Sequence, residues 1–519
     1  DFTRGSLATF VDKDGLIKIS GVTATELVTN GDFATDSNWI LGTGWSISGG
    51  VANYTDTANN QIAQSINLNS GTYKLKFSIS NATGVGARIW IGNIGGNISY
   101  TDNTYQNYTN GDYTINIVVP SNQTSFAFYG NVGGSSFSID NVSVQEVQTD
   151  TPRIDFTNDT KGHLLLEPQS TNLITYSEDF SQWIKYNSSV NTNSIQSPSG
   201  FLDADKIIEN TNNSTHFLSP IVNNVPSSGV ATLSVFAKKG ENNWIKLVQY
   251  TNYANFDLDN GVIGNSSAIS TNIINYGNGW YKCIMNFNVA GSGANLDFKL
   301  GENNTSNWDD IYTGDGTSGV YIWGAQLEAL SFSTSYIPTY GSTVTRNIDV
   351  CDVINVSDVP TSYPFVINIE AYHTLNINNG AIGFYDNSNQ YYYYAIQFLD
   401  NKVLAVSRPQ GITQNNLLSS STYTEGFHKI AVLYENDTTM KLYVNGQLQG
   451  TKIDCVNNSF NTAFSDYIIG VIRSISTNPC NIKNVKIFNT GLTDGELYLL
   501  TVPQYQSYQA MATALNYTS

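Results

Sequence analysis

Strict alternation of apolar and polar residues, interrupted at short intervals by Gly, Asn, Asp or Ser, constrains this chain more than any other feature. Residues 73–79 (Tyr-Lys-Leu-Lys-Phe-Ser-Ile) and 113–119 (Tyr-Thr-Ile-Asn-Ile-Val-Val) show it clearly. So do residues 365–371 and 441–444. A period of two, rich in β-branched and aromatic residues, places one set of side chains in a core and the other in water, which predicts half-buried antiparallel strands. Asn445-Gly446 between two such runs predicts a tight hairpin, because both central residues of that turn need positive φ. Helical periodicity is confined to one short stretch, with Thr493 as N-cap, Glu496 three residues on, and Leu497 to Leu500 following. The chain is therefore read as all-β, built from antiparallel β-sandwich (jelly-roll) domains in tandem. With 519 residues it exceeds one hydrophobic core, so three domains of roughly 130 to 170 residues are expected. An apolar fraction of 40% and an aromatic fraction of 12% supply enough buriable surface to exclude disorder.

An internal repeat helps to set boundaries. Leu27-Val-Thr-Asn-Gly-Asp-Phe33 followed by Trp39 parallels Leu173-Ile-Thr-Tyr-Ser-Glu-Asp-Phe180 followed by Trp183. Closing strands match as well, residues 137–146 against 320–328. Distinctive first and last strands are what a closed sandwich requires, since they pair near one another. The boundaries read from these signals are 22–148, 170–338 and 350–502. Residues 1–21 form an N-terminal segment, 149–169 and 339–349 are linkers, and 503–519 form a tail.

Only 13% of residues are charged, and 24 basic against 42 acidic side chains leave a net charge of −18. No Lys/Arg cluster that would neutralise phosphates is visible, so nucleic acid and anionic membrane surfaces are excluded as partners. No apolar run approaches the roughly 18 residues of a membrane-spanning helix. Solubility falls to Asn, Ser, Thr and Gly, a surface suited to the outside of a cell or a virion and to uncharged, hydrogen-bonding glycans. Cys283, Cys351, Cys455 and Cys480 are too few for a disulfide scaffold; free buried thiols are expected, with a Cys455–Cys480 bridge as the alternative. The chain opens at Asp1 without a methionine or signal-like stretch, which reads as a processed product or a chain lacking an N-terminal attachment region.

Three resemblances follow from these motifs. Asn30-Gly-Asp-Phe33 together with Ile139-Asp-Asn-Val-Ser-Val144 resembles the carbohydrate-binding jelly rolls of families 4, 9 and 22. In those families a structural calcium sits where the two ends meet, which implies Asp32 and Asp140 as ligands; the carboxylate that usually follows the Phe is here Ala34. Residues 151–349 resemble a repeat abundant in bacteriophage tail and virion proteins, through Pro152-Arg-Ile-Asp155, Leu164-Leu-Leu-Glu-Pro-Gln169, Gly279-Trp-Tyr281, Ile322-Trp-Gly-Ala-Gln-Leu-Glu328 and Ser342-Thr-Val-Thr-Arg346. In such proteins a segment like Phe2-Thr-Arg-Gly-Ser-Leu-Ala-Thr9 runs soon into the Pro-Arg-Ile-Asp stretch, which implies that residues 22–148 are an insertion and that 1–21 pack near 149–169. Finally, Phe427-His-Lys-Ile-Ala-Val-Leu-Tyr434 with Met440-Lys-Leu-Tyr-Val-Asn-Gly446 is similar to laminin-G and concanavalin A-like domains.

The search for reactive chemistry finds no Gly-x-Ser-x-Gly elbow and no phosphate loop. His163, His216, His373 and His428 lie in separate segments, and Glu370, Glu425, Glu435 and Glu496 are isolated from one another. No paired glycosidase carboxylates stand out. Sugar binding needs aromatic faces flanked by polar groups. Trp39 and Trp183, at the repeated position, are assigned to packing, as is Trp323. Trp45, Trp90, Trp244 and Trp308, set among Gly, Asn and Asp, are the candidate sugar platforms. In the run Tyr391 to Tyr394, Tyr392 and Tyr394 are assigned outward, as a platform or as a surface covered by a neighbouring subunit. Asp309, Asp310 and Asp315 form a second candidate calcium loop.

These readings converge on a non-enzymatic virion adhesion protein, a tail fibre or surface fibre assembled in the host cytoplasm. It is expected to bind host surface polysaccharide, contact other virion proteins and form a homo-oligomer such as a trimer. A secreted or cell-surface bacterial glycan-binding protein and a polysaccharide depolymerase are the alternatives.

Overall fold

The computed structural model describes residues 2–503 apart from 56–59, 93–106, 120, 131–134, 158–159, 291–294, 302–303, 305–308, 354–359, 375–377, 387–388, 409–413, 457–459, 461–465 and 470–479. Nearly every element is a strand, and every strand pairing is antiparallel; the described residues contain one α-helix, Asp494–Thr501, and one 3-10 turn, Phe180–Gln182. Two compact units account for the chain, one formed by residues 19–149 and the other by 1–18 with 150–519.

Within residues 19–149, a larger sheet is centred on Gly71–Thr83 and Ser136–Val147. The other sheet runs Ala87–Gly92, Gln123–Gly130, Asn60–Leu68 and Ile40–Leu41. Alternate residues of both, among them Leu75, Phe77, Ile139, Ile62, Ile89 and Phe128, meet in one core. The two ends of this unit are joined where Val142 N donates to Gly31 O at 2.8 Å.

In the other unit, two six-stranded sheets enclose a core that includes Leu218, Leu247, Phe298, Leu233 and Ile322. The repeated tryptophans do the same job in both units. Trp39 Nε1 donates to Asn30 O at 3.0 Å and Trp183 Nε1 to Tyr176 O at 2.8 Å, each ring packed on the Phe of its motif. A further pair of seven-stranded sheets contains Phe365–His373, Gly426–Tyr434 and Met440–Val444. Asn445 and Gly446 take φ of 51° and 78° in the hairpin there, and Thr493 and Glu496 close a reciprocal capping box on the helix.

Residues 149–169 differ from the linker expected of them. Arg153–Asp155 and His163–Leu166 are strands of a seven-stranded sheet, His163–Leu166 pairing with Cys480–Phe488. Phe2–Thr3 likewise pairs with Val350–Val353. A linker signal is local, whereas this pairing is decided by strand edges contributed from residues more than 300 positions away. The junction is held by buried charge. Arg153 donates to Glu167 Oε2 at 2.8 Å and to an Asp349 carboxylate oxygen, Arg4 Nη1 reaches Asp349 Oδ1 at 3.1 Å, and Arg346 Nη2 donates to Pro168 O at 2.7 Å. Burial alone would raise the Glu167 pKa, but Arg346, Arg153 and the hydrogen bonds from Ser335 together more than reverse it and hold it at about 2. Cys283, Cys455 and Cys480 are buried free thiols, and Cys351 is half-buried.

Candidate functional site

The four-stranded sheet of residues 19–149 turns one face to its core and the other outward. Ile89, Ile91, Phe126, Phe128 and Ile62 belong to the core, so strand alternation directs Arg88, Trp90, Ala127, Tyr129, Gln61 and Ala63 to the opposite face. Register then assembles two rows across the strands. Trp90, Ala127, Ala63 and Ile40 lie side by side in one row, and Arg88, Tyr129 and Gln61 in the next. Diagonal neighbours of this kind are within reach of large rings. Trp90 and Tyr129 stack with centroids 4.0 Å apart and planes 10° from parallel. Ala127 and Ala63, between Trp90 and Ile40 in the row, are buried, whereas Ile40 at its end is 53% exposed.

Polar groups flank the rings. Arg88 Nε donates to Asn107 Oδ1 at 2.7 Å. Asn107 is brought there by a two-way bridge between Ala87 and Tyr108, whose N–H groups and carbonyls pair at 2.8 Å. That approach demands Gly86: at φ +77°, an added Cβ would lie 2.0 Å from Tyr108 O. On the other side of Tyr129, Gln61 Oε1 is buried and accepts no hydrogen bond among the described residues. The face can stack a sugar ring and offers a guanidinium and an amide to its substituents.

The remaining sequence candidates fall elsewhere. Trp45 is a core residue, not a platform: it is 7% exposed, packs on Tyr54 and Phe137, and its Nε1 donates to Asn60 O at 3.1 Å. Its strand, Trp45–Ser48, folds back on Val51–Tyr54, and that hairpin turns the ring inward. Tyr394 is also buried rather than outward, packed on Phe365 and Tyr434, with its hydroxyl 3.0 Å from that of Tyr363. Ile396 and Phe398 share its face and its core, and their parity was the signal that fixes Tyr394. The Tyr392 side chain and Trp308 lie outside the described residues. Trp244 is half-buried on the outward face of a six-stranded sheet; an added Cβ on Gly264 would lie 2.7 Å from its ring, so Trp244 is packed against that strand.

The acidic candidates are not drawn together. Asp309 faces Lys299 at 3.5 Å and Asp310 faces Lys246 at 3.9 Å. Burial pulls the Lys246 pKa down while Asp310 draws it back up. A carboxylate already facing an ammonium group is a poor calcium ligand, because the two cations repel. Asp315 accepts from Thr317 N and Ser318 N, both at 2.7 Å, and shapes its own turn. Asp140 accepts from Asn141 N at 2.7 Å, and exposed Asp32 faces Ala34 N at 3.4 Å. Among the described residues no group of three or more His, Cys, Asp or Glu has an arrangement that could hold a metal ion. Tyr129, Arg88 and Gln61 were missed in the sequence. Ala127 between Phe126 and Phe128 was a usable signal, since it marks the outward parity that Tyr129 shares.

The family model described as the concanavalin A-like lectin/glucanases superfamily matches residues 361–497. The chain carries a concanavalin A-like lectin/glucanase domain. No curated protein matches. Solved structures similar to the chain include the CBM40 of the Ruminococcus gnavus IT-sialidase, at 15% identity and a TM-score of 0.25, covering 29% of this chain and 96% of that one. The binding domain of botulinum neurotoxin serotype D is similar at 13% identity and a TM-score of 0.25, covering 29% of this chain and 40% of that one.

Proposed function

We propose that this protein is a non-enzymatic adhesion protein of a virion surface that binds host cell-surface glycan through the Trp90–Tyr129 face. The observation that carries the reading is the parallel aromatic stack on an outward sheet face, with Arg88 and Gln61 at its flanks. Aromatic rings gain by covering the C–H faces of a sugar, and the neighbouring polar groups orient its hydroxyls. Such contacts are individually weak, so several copies on one particle would supply the avidity that attachment needs. The concanavalin A-like domain at 361–497 supports a lectin-type role without specifying it, since that fold hosts many functions. Virion placement rests on the motif resemblance of residues 151–349.

A glycan array probed with the full chain and with Trp90→Ala tests the binding reading. Signals on a defined glycan subset should fall at least tenfold in the variant, about 1.4 kcal/mol. Equal signals, or an array that stays silent with the unaltered chain, would overturn it. Gold-labelled antibody against the chain, imaged on intact particles, tests the placement; label confined to host debris would overturn that part.

A further inference from the structure

Resting on the Trp90–Tyr129 reading, we infer that this face takes an acidic glycan and that Arg88 receives its carboxylate. Arg88 is the only charged residue, of either sign, on the four strands of its sheet. Between residues 19 and 149, three cationic side chains stand against eight carboxylates, and the other two cations, Lys74 and Lys76, belong to the opposite sheet. In a unit with that excess of carboxylates, an arginine finds an ion-pair partner easily. Arg88 instead spends its Nε–H on a neutral amide, Asn107 Oδ1 at 2.7 Å, and no carboxylate pairs with it among the described residues. Anchoring through Nε holds the guanidinium plane, and among the described residues the two terminal nitrogens have no partner and form a fork.

That fork sits in register beside Tyr129, one residue pair from the Trp90 ring. A planar two-donor fork matches the two oxygens of a carboxylate, which sets a uronic or sialic acid apart from a neutral hexose. The aromatic stack would bind the sugar body and Arg88 its acid group.

Isothermal titration of the full chain provides the test, with oligogalacturonates and sialylated oligosaccharides as probes, each beside its carboxyl-reduced derivative. The acidic member of at least one pair should bind about ten- to a hundredfold more tightly than its reduced partner, the range of a charged hydrogen bond. Arg88→Gln should abolish that difference, so that within the variant the acidic form binds no more tightly than its reduced partner. Arg88→Lys, which keeps charge but loses the fork, should fall between them. Equal binding of acidic and reduced forms, or a preference that survives Arg88→Gln, would overturn the acidic assignment; the platform reading would stand if Trp90→Ala still weakened both. No binding by any probe would overturn the assignment, and indifference to Trp90→Ala would overturn the platform. Arg88 is half-buried on a surface, and a thermal melt matching that of the unaltered chain establishes that each variant folds.

Discussion

Replacing Asp349 by Asn should cost about 3–5 kcal/mol of stability, more than replacing Arg153 by Met, although Arg153 makes more hydrogen bonds. Arg4, Arg153, Arg346, Glu167 and Asp349 are all buried, so the cluster carries a net charge of +1. Its positive excess is already felt: burial first, then the charge of Arg153, lower the Arg4 pKa to about 10. Asp349→Asn raises the buried net charge to +2 and leaves three guanidinium groups around one carboxylate. Breaking a buried pair in this way costs about 3–5 kcal/mol, because the uncompensated charge stays out of water. Arg153→Met moves the cluster toward neutrality. Glu167 keeps Ser335 N at 2.7 Å, Ser335 Oγ at 2.6 Å and Arg346 at 3.6 Å, and Asp349 keeps Arg4. The main orphan is Thr9 O, which loses its bond to Arg153, and an unsatisfied buried acceptor costs about 1–3 kcal/mol. Urea denaturation at pH 7, followed by tryptophan fluorescence, measures both variants. A loss below about 1 kcal/mol for Asp349→Asn, or a larger loss for Arg153→Met, would refute the charge argument.

Two further outcomes follow from the core and from the histidines. Trp45→Ala should destabilise residues 19–149 by about 3–5 kcal/mol, seen as a lowered melting temperature, because it removes a buried ring packed on Tyr54 and Phe137; Trp90→Ala should change stability far less and glycan affinity far more. Acidification should weaken the concanavalin A-like domain. His428 Nε2 donates to Thr424 O at 2.9 Å and its Nδ1 accepts from Asn445 Nδ2 at 2.8 Å, with His373 and Tyr423 packed against the ring. Burial chiefly lowers the pKa of both histidines, so their contribution is present above the unfolded value of about 6.5 and is lost as pH falls through the folded values. Melting temperature against pH should decline below 6.5, and His428→Gln should flatten the decline; an unchanged profile in that variant would show that the ring is not responsible.

Much of the fold was legible because its determinants are local. Alternation at residues 73–79 and 365–371 identifies strands, Asn445-Gly446 identifies a hairpin by the positive φ it needs, and Thr493 with Glu496 identifies a helix start within a single turn. The paired tryptophan motifs announce a shared packing role, which Trp39 and Trp183 perform with the same indole-to-carbonyl bond.

The candidate site was only partly legible. Trp90 stands out as a residue type in a polar setting, but nothing near it in sequence points to Tyr129, 39 positions on, or to Gln61, 29 positions back. Composition also misassigned Trp45 and Tyr394, whose parity and hairpin geometry turn them into cores.

From its own residues, then, this chain specifies strands, turns and the faces that must be buried, because each depends on neighbours a few positions away. Which strands become partners depended on the tertiary structure. Cross-strand register set Arg88, Tyr129 and Gln61 in one row, and sheet edges gave His163–Leu166 a partner more than 300 residues distant. Contacts of that kind are fixed by the closure of whole sheets, and no local pattern encodes them.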